Sequence, residues 1–234
     1  MKKVTRFLAY FTVIHLVVIS LSHCTFSHFS KKSYKLAMKE KPYDVVIVPG
    51  VPYAPNESND VMRMRVFWAK HLYDSGYTKN IIFSGSSVYS PYVEGKVMKA
   101  LADSLGIPAD HTFSETRAEH STENIWYGWK MAKEMGFSKI ALATDPFQAG
   151  MLRSFVKKYT PGVRPVPIVF GMLDIENRML PGIDTTSLYV QNFEPITERE
   201  GFWQRLRGTM GKRVKEEKKA EEAAQNGRHD AIGD

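Results

Sequence analysis

Between residues 44 and 153 one arrangement recurs: an apolar run of strand length enters a short loop rich in Gly, Ser, Asp or Glu, and a segment with helical apolar spacing follows. The clearest instances are YDVVIVPGVPY before the helix around Arg65, NIIFSGSSVYSPYVEG before the helix around Met98, and KIALATDPFQAG before the helix around Phe155. Strands that alternate with helices pair in parallel. A parallel sheet is covered on both faces, so its strands read as continuous apolar runs. The pattern therefore predicts an α/β fold: a three-layer, doubly wound, Rossmann-like and mostly parallel sheet with helices on both faces. In such a sheet the polar loops gather at the carboxyl ends of the strands, where small-molecule sites form.

Period and punctuation set the elements. Val45 to Val48 reads as a buried strand closed by Pro49 and Gly50. Asn56, Ser58 and Asn59 offer N-caps for a helix to about Ser75, with Met62, Val66, Ala69, Leu72 and Tyr73 on one face. Ile81 to Phe83 is the second strand, and Pro91 leads into a helix bearing Val93, Val97, Leu101 and Leu105 that Gly106 ends. His111 to Ser114 is a short strand, and Ser121 caps a helix holding Ile125, Trp129 and Ala132. Ile140 to Ala143 follows as a strand, with Pro146 in the first turn of a helix to Tyr159. Val166 to Phe170 is expected as a further strand and Thr185 to Val190 as a peripheral one. Within 197–216 an amphipathic helix carries Phe202, Trp203, Leu206 and Met210. These residues beside Arg205, Arg207, Lys212 and Arg213 also suit a membrane interface, but packing on the core is the favoured expectation. Residues 217–234 are charged and poor in large apolar side chains, which predicts disorder beyond a solvated helix end.

At the amino terminus Lys2, Lys3 and Arg6 precede an apolar run from Phe7 to Leu21 that contains no Asp, Glu, Lys or Arg. This has the form of an export signal whose positive end stays in the cytoplasm. The expectation is a membrane segment over 1–29, a basic stalk over 30–42 and an α/β domain over 43–196 outside the inner membrane of a bacterial cell. Three fates stay open for the segment. Uncharged Ser22 to Phe29 would extend it toward the roughly 20 residues of an uncleaved signal anchor. Leu21-Ser22-His23-Cys24 resembles a lipoprotein box, which would lipidate Cys24, and cleavage would release a soluble form. Cys24 is the single cysteine, so the folded domain has neither an internal disulfide nor a thiolate catalyst. The net charge of +7 collects at the flanks, in residues such as Lys31, Lys32, Lys35, Lys39 and Lys41 and in the stretch from Arg205 to Lys219. Topology and anionic lipid account for such flanks more simply than nucleic acid, for which no recognition-helix or zinc-finger spacing is present.

The loops must supply the chemistry. Pro49-Gly50 allows close approach to the backbone, and Ser84-Gly85-Ser86-Ser87 offers hydroxyls and amides ahead of a helix, the parts of an anion cradle or equally of a tight turn. The loop lacks the Lys of a P-loop and the three-glycine dinucleotide fingerprint, so it supports neither NTP hydrolysis nor nicotinamide chemistry. Glu94 stands near a helix start, where the dipole favours its anion. Glu115, Glu119 and the run Ser121-Thr122-Glu123-Asn124 form a polar cluster that helix capping would also explain. Asp145 follows a buried strand directly, with Gln148 one turn into the next helix. It suits a general base, an oxygen ligand to a metal, an anchor for a hydroxyl, or an N-cap. His71, His111, His120 and His229 form no HExxH pair and no Cys/His cluster, so there is no zinc motif. Mg²⁺ through Asp145, Glu94 or Glu115 stays open.

From Tyr43 to about Lys158 the ordered set of Pro49-Gly50, Arg65 with Ala69 and Leu72, Ser84-Gly85, Glu94 with Met98, Glu115 and Thr122-Glu123-Asn124 resembles the SanA/YdcF/ElyC-like family of bacterial envelope proteins. Where that family usually runs Thr-Ser-x-Phe-His-x-x-Arg, this chain has Thr144-Asp145-Pro146-Phe147-Gln148 and then Met151, so Gln148 and Met151 replace the family-type His and Arg. The resemblance implies a membrane-tethered domain linked with envelope integrity, peptidoglycan precursor handling and vancomycin exclusion. S-adenosylmethionine binding belongs to the YdcF-like branch, and an exported domain would meet little of it. The expected crevice has Asp145 and Glu94 as candidate catalytic groups and Gly50, Arg65, Ser84, Gly85, Ser86, Glu115, Asn124 and Gln148 as ligand-binding residues. Its expected ligand is a phosphorylated lipid or sugar-nucleotide envelope precursor. The competing expectations are a non-enzymatic scaffold for a membrane partner and a cytoplasmic nucleotide- or S-adenosylmethionine-binding enzyme.

Overall fold

The computed structural model describes residues 28–173 and 179–230, with backbone alone for 225–230. The expected membrane segment up to residue 27 and Cys24 lie outside the described residues. Five strands, β1 (Val45–Pro49), β2 (Ile81–Ser84), β3 (Thr112–Glu115), β4 (Ile140–Leu142) and β5 (Arg164–Pro165), form one parallel sheet in the order β3-β2-β1-β4-β5. The connecting helices are α2 (Asp60–Asp74), α3 (Glu94–Ser104), α4 (Ser121–Glu134) and α5 (Pro146–Tyr159).

Alternation along each strand divides the core in two. Val46, Val48, Ile81 and Phe83 pack with Val66 and Leu72 of α2 and Val97 and Leu101 of α3. Val45, Ile47, Ile82 and Leu142 pack with Ile125 of α4 and Leu152 and Val156 of α5. Gly128 sets how closely α4 approaches β1, since a Cβ there would lie 2.8 Å from Ile47 Cγ2. The chain steps outward from β1 to β2 to β3 and then crosses through α4 to β4 on the far side of β1. Strand order thus reverses between β1 and β4, and a crevice at a reversal of this kind is the usual ligand position in open α/β sheets.

The expected strand at Val166 to Phe170 takes a shorter form. Regular pairing covers Arg164 and Pro165, the Val166 and Ile168 amides continue it by donating to Leu142 O and Thr144 O at 2.7 and 2.9 Å, and Phe170–Met172 turns as a 3-10 helix. Pro165 and Pro167 alternate with the two donating residues, so the outer side of this edge has no N–H at those positions to recruit another strand. The expected strand at Thr185 to Val190 is a 3-10 turn, Thr186–Leu188, with one antiparallel bridge between Tyr92 and Tyr189.

Both flanks differ from the sequence expectation. Where a stalk was expected, residues 28–37 form a helix, α1, that packs on the domain. Ser30 and Ala37 are buried, the Tyr34 ring meets Trp68 at 5.7 Å, and Tyr43 donates its hydroxyl to Ala37 O at 2.8 Å. The buried face is built from Ser, Tyr and Ala, so it carries little apolar signal. At the carboxyl end the single amphipathic helix becomes α6 (Ile196–Arg199), α7 (Phe202–Thr209) and α8 (Lys212–Asp230). Gly201 is the N-cap of α7, and Gly211 at φ 85 breaks the chain between α7 and α8. Part of the segment expected to be disordered is therefore helical, and Glu217 holds it to α4 by accepting from Tyr127 at 2.9 Å and Lys130 at 3.0 Å. The expectation that Phe202, Trp203, Leu206 and Met210 pack on the core is also overturned. All four are exposed, and Gly208 makes the contact with α4 instead. No helix among the described residues is long and apolar enough to cross a membrane.

If α1 belongs to the domain, truncating Tyr34 to Ala will lower unfolding stability by about 2–3 kcal/mol, the scale of losing a large packed side chain. A change near zero in denaturant melts would return residues 28–37 to the status of a stalk.

Candidate functional site

Parallel register places Pro49, Ser84 and Glu115 side by side at the carboxyl ends of β1, β2 and β3. Arg65 reaches this row from α2. One of its terminal nitrogens donates to Pro49 O and Gly50 O, each at 2.9 Å, and the other donates to Asp145 Oδ2 at 2.6 Å. The guanidinium is buried, and its Nε has no hydrogen-bond partner. A single cation thereby joins the ends of β1 and β4 across the point where strand order reverses. Asp145 caps α5 by accepting from the Gln148 amide at 2.9 Å. Burial pushes the Asp145 carboxyl up, but the charge of Arg65 and the Gln148 amide outweigh it and hold the group below its ordinary value.

Glu94 is the first residue of α3 and is only 4% exposed. Two glycines make room for it. A Cβ on Gly50 would sit 2.3 Å from Glu94 Oε2, and one on Gly85, whose φ is 152, would sit 2.8 Å from the same atom. Burial pushes this carboxyl up to about 8 against the pull of Arg65. The expectation of a dipole-stabilised anion therefore fails at neutral pH, because desolvation exceeds what a helix terminus supplies. Two carboxyls that feel one guanidinium hold unlike protonation states, Asp145 ionised and Glu94 protonated. Separated proton affinities of this kind are shared by acid/base pairs and by buried structural ion pairs.

The Ser84 loop is less open than its sequence implies. The fully buried Ser84 hydroxyl lies 2.5 Å from Glu115 Oε2 and 3.1 Å from Asn124 Oδ1. Glu115 Oε1 accepts from the Arg117 amide at 2.5 Å, and burial raises this carboxyl against those bonds. The Gly85 and Ser86 amides donate to Glu115 O and Ala118 O at 2.9 and 2.8 Å, so they fasten the loop to the β3–α4 connection. The Ser86 and Ser87 side chains are half-buried. Gln148, at the position where the resembling family has His, is buried. It accepts from Thr144 Oγ1 at 2.5 Å and donates to Ser121 Oγ at 3.4 Å, a structural tie between β4, α5 and α4. Met151 is exposed, and Arg153 lines a cavity of about 640 Å³ with α1 residues His28, Phe29 and Lys32.

The ten residues singled out from the sequence thus gather at one end of the sheet in two groups. Gly50, Arg65, Gly85, Glu94 and Asp145 form the inner cluster, and Ser84, Glu115 and Asn124 a hydrogen-bonded neighbour. Gln148 and Ser86 join each group to a flanking loop. Sequence reasoning passed over Thr144, although it lies between the strand and Asp145. It also passed over a second ionic cluster in which Arg213 meets Glu119 at 2.8 Å, Glu123 at 3.5 Å and Glu200, while His120 stands 3.4 Å from Glu200. Nothing local marks those contacts, because Glu200 and Arg213 come from a distant part of the chain. No group of three or more His, Cys, Asp or Glu among the described residues could hold a metal ion, and Arg65 occupies the charge position that a cation would take between Asp145 and Glu94.

Comparisons with protein-family models, curated proteins and solved structures yield no match to this chain.

A carboxyl whose pKa rises on folding makes the folded state bind more protons than the unfolded chain. The Glu94 contribution is therefore fully present below 4.5 and is lost as pH climbs toward about 8. Glu94→Gln mimics the neutral acid and will gain stability on the parent as pH rises from about 5 to about 8, by at most about 1.4 kcal/mol per pH unit. Melting curves that run parallel over this range would show that Glu94 is ionised throughout. Asp145 has the opposite sign: its contribution is present above 3.8 and is lost as pH falls further. Asp145→Asn leaves Arg65 buried without its counter-charge and will cost about 3–5 kcal/mol at neutral pH. Denaturant melts read this loss directly, and a loss under about 1 kcal/mol would mean that the pair is solvated.

Proposed function

We propose that this protein is a membrane-tethered, exported cell-envelope factor of the SanA/YdcF/ElyC type, whose crevice binds a phosphorylated or sugar-bearing envelope metabolite for hydrolysis or group transfer. The observation that carries the reading is the unlike carboxyl pair on Arg65 at the strand-order reversal. A protonated Glu94 can give its proton to a leaving-group oxygen as a bond to that oxygen breaks. Ionised Asp145 can receive a proton from an attacking hydroxyl or water, completing the exchange without an external acid or base. The half-buried Ser86 and Ser87 hydroxyls supply groups that can accept or donate hydrogen bonds to sugar hydroxyls. The apolar run from Phe7 to Leu21 behind three basic residues supports the tether and the exported topology.

A scaffold that captures a membrane partner is the second reading, and one observation favours it. The Ser84 hydroxyl, the Gly85 and Ser86 amides and both terminal nitrogens of Arg65 already have partners within the protein. A ligand must displace some of those bonds, most directly those of Arg65 to Pro49 O or Asp145.

Thermal melts of the full chain in detergent, with a short-chain polyprenyl phosphate or a nucleotide-linked sugar, separate the two readings. A ligand at a hundredfold excess over its dissociation constant will add about 2.7 kcal/mol of stability. Glu94→Gln will retain that binding while lowering any turnover by about 10²- to 10⁴-fold. If neither compound shifts the melt, the metabolite reading fails and the scaffold stands. Turnover that survives Glu94→Gln would remove Glu94 from the acid role.

A further inference from the structure

The exposed face of α7 is built unlike the rest of the surface. Phe202, Trp203 and Met210 are 64%, 67% and 68% exposed, and Leu206 completes the same face. At about 100° per residue these four cover one arc, and Gly208 falls about 180° from its centre. Gly208 is the position pressed on the domain. A Cβ there would lie 2.3 Å from the His120 ring, and Gly208 O accepts from Thr122 at 2.9 Å. The helix is therefore held by its small, polar side, and its aromatic side points directly away from the core.

Cations frame that side. On the same wheel Arg205 and Arg207 fall on the two flanks of the apolar arc, and Lys212, past the Gly211 break, lines one cavity with Arg207. Among the described residues Arg205 and Arg207 form no ion pair, while Lys212 reaches Glu216 at 3.5 Å. Phe202 and Trp203 meet edge to face at 5.2 Å, and with Gly201, Gln204, Arg207 and Lys212 they line a cavity of about 430 Å³. Trp and Phe settle at the headgroup level of a bilayer, flanking Lys and Arg pair with anionic headgroups, and an amphipathic helix buries its apolar face about 5–10 Å deep.

We infer that α7 lies on an anionic lipid surface, with Phe202, Trp203, Leu206 and Met210 in the interfacial layer and Arg205, Arg207 and Lys212 against lipid phosphates. Cationic flanks select a negatively charged bilayer over a second copy of this face, which would place like charges opposite one another. This contact is separate from any tether in residues 1–29 and from whatever the crevice binds. It would fix the orientation of the domain as well as its location.

The test uses the full chain reconstituted in vesicles whose acyl chains carry bromine, which quenches tryptophan at the interface. Trp68 and Trp126 are buried and Trp129 is half-buried, so Trp203 is the exposed reporter and Trp203→Phe the blank. With about 30% phosphatidylglycerol in phosphatidylcholine, quenching of the parent will exceed that of Trp203→Phe at least about twofold. The excess will vanish in pure phosphatidylcholine, in the triple variant Arg205→Gln, Arg207→Gln, Lys212→Gln, and at about 0.5 M salt, where charge is screened within about 5 Å. Arg207 and Lys212 are exposed and Arg205 is half-buried, so thermal melts of the variants run alongside and an unchanged melting temperature separates lost contact from lost fold. Equal quenching of parent and Trp203→Phe overturns the inference. A Trp203 blue shift that follows protein concentration in vesicles without bromine would also overturn it, by identifying a second copy as the occupant.

Discussion

The carboxyl end of the sheet depends on one guanidinium. Parallel strands leave their last carbonyls without partners wherever the chain turns away, and at β1 those carbonyls belong to Pro49 and Gly50. Arg65 satisfies both and spends its remaining charge on Asp145 at the end of β4. The two strands that bound the reversal pair directly through Ile47 and Leu142, and beyond that pairing a side chain from α2 ties their ends together. Removing either charge would leave the other buried and uncompensated, which is far more costly than losing both together. The loops can vary around this bridge, but the bridge cannot become Lys: a single ammonium lacks the fixed fork that serves two carbonyls and a carboxylate at once.

The same bridge explains why Glu94 keeps its proton. Gly50 and Gly85 let α3 approach so closely that the first carboxyl of the helix is taken out of water. Arg65 is near enough to favour the anion, but its charge is already matched by Asp145 at hydrogen-bond distance. One cation cannot fully compensate two buried carboxylates, so the one without the direct contact becomes neutral. Packing thus sets a protonated and an ionised carboxyl beside one guanidinium at neutral pH, without a histidine. This bears on Gln148, whose amide is tied to Thr144 and Ser121 and performs no proton chemistry.

What could be read from the residues follows the range of the forces involved. The strands at Val45, Ile81 and Ile140 and their helices were legible because burial on both faces of a parallel sheet writes itself as uninterrupted apolar runs. The residues of the crevice were legible for the same reason, since a polar residue directly after such a run has nowhere to point except the sheet end. The donor state of the Ser84 loop was hidden, because it depends on Glu115 O and Ala118 O at the next strand over. Helix α1 was hidden because Ser30, Tyr34 and Ala37 bury a face that carries little apolar signal. The aromatic side of α7 read as core because spacing reports that a face exists and is silent about what covers it. Only Gly208 distinguishes the two cases, and its meaning appears once His120 is known to lie against it.

The first turn of α4 is where these parts meet. Asn124 holds Ser84 and Ser121 holds Gln148 at the carboxyl end of the sheet, while His120 and Thr122 receive α7. Around that turn Glu119 and Glu123 pair with Arg213 at the start of α8, and Glu119 also pairs with Arg199 of α6. The carboxyl-terminal helices are thus fastened by ionic contacts to the same turn whose Ser121 and Asn124 side chains bond Gln148 and Ser84. Partly buried ion pairs add little net stability but penalise misplacement strongly, so they specify position more than they strengthen the fold. A helix seated on lipid through its aromatic side would therefore set the crevice at a fixed height and angle above the membrane, through one turn of α4 and without any contact between ligand and lipid-binding residues.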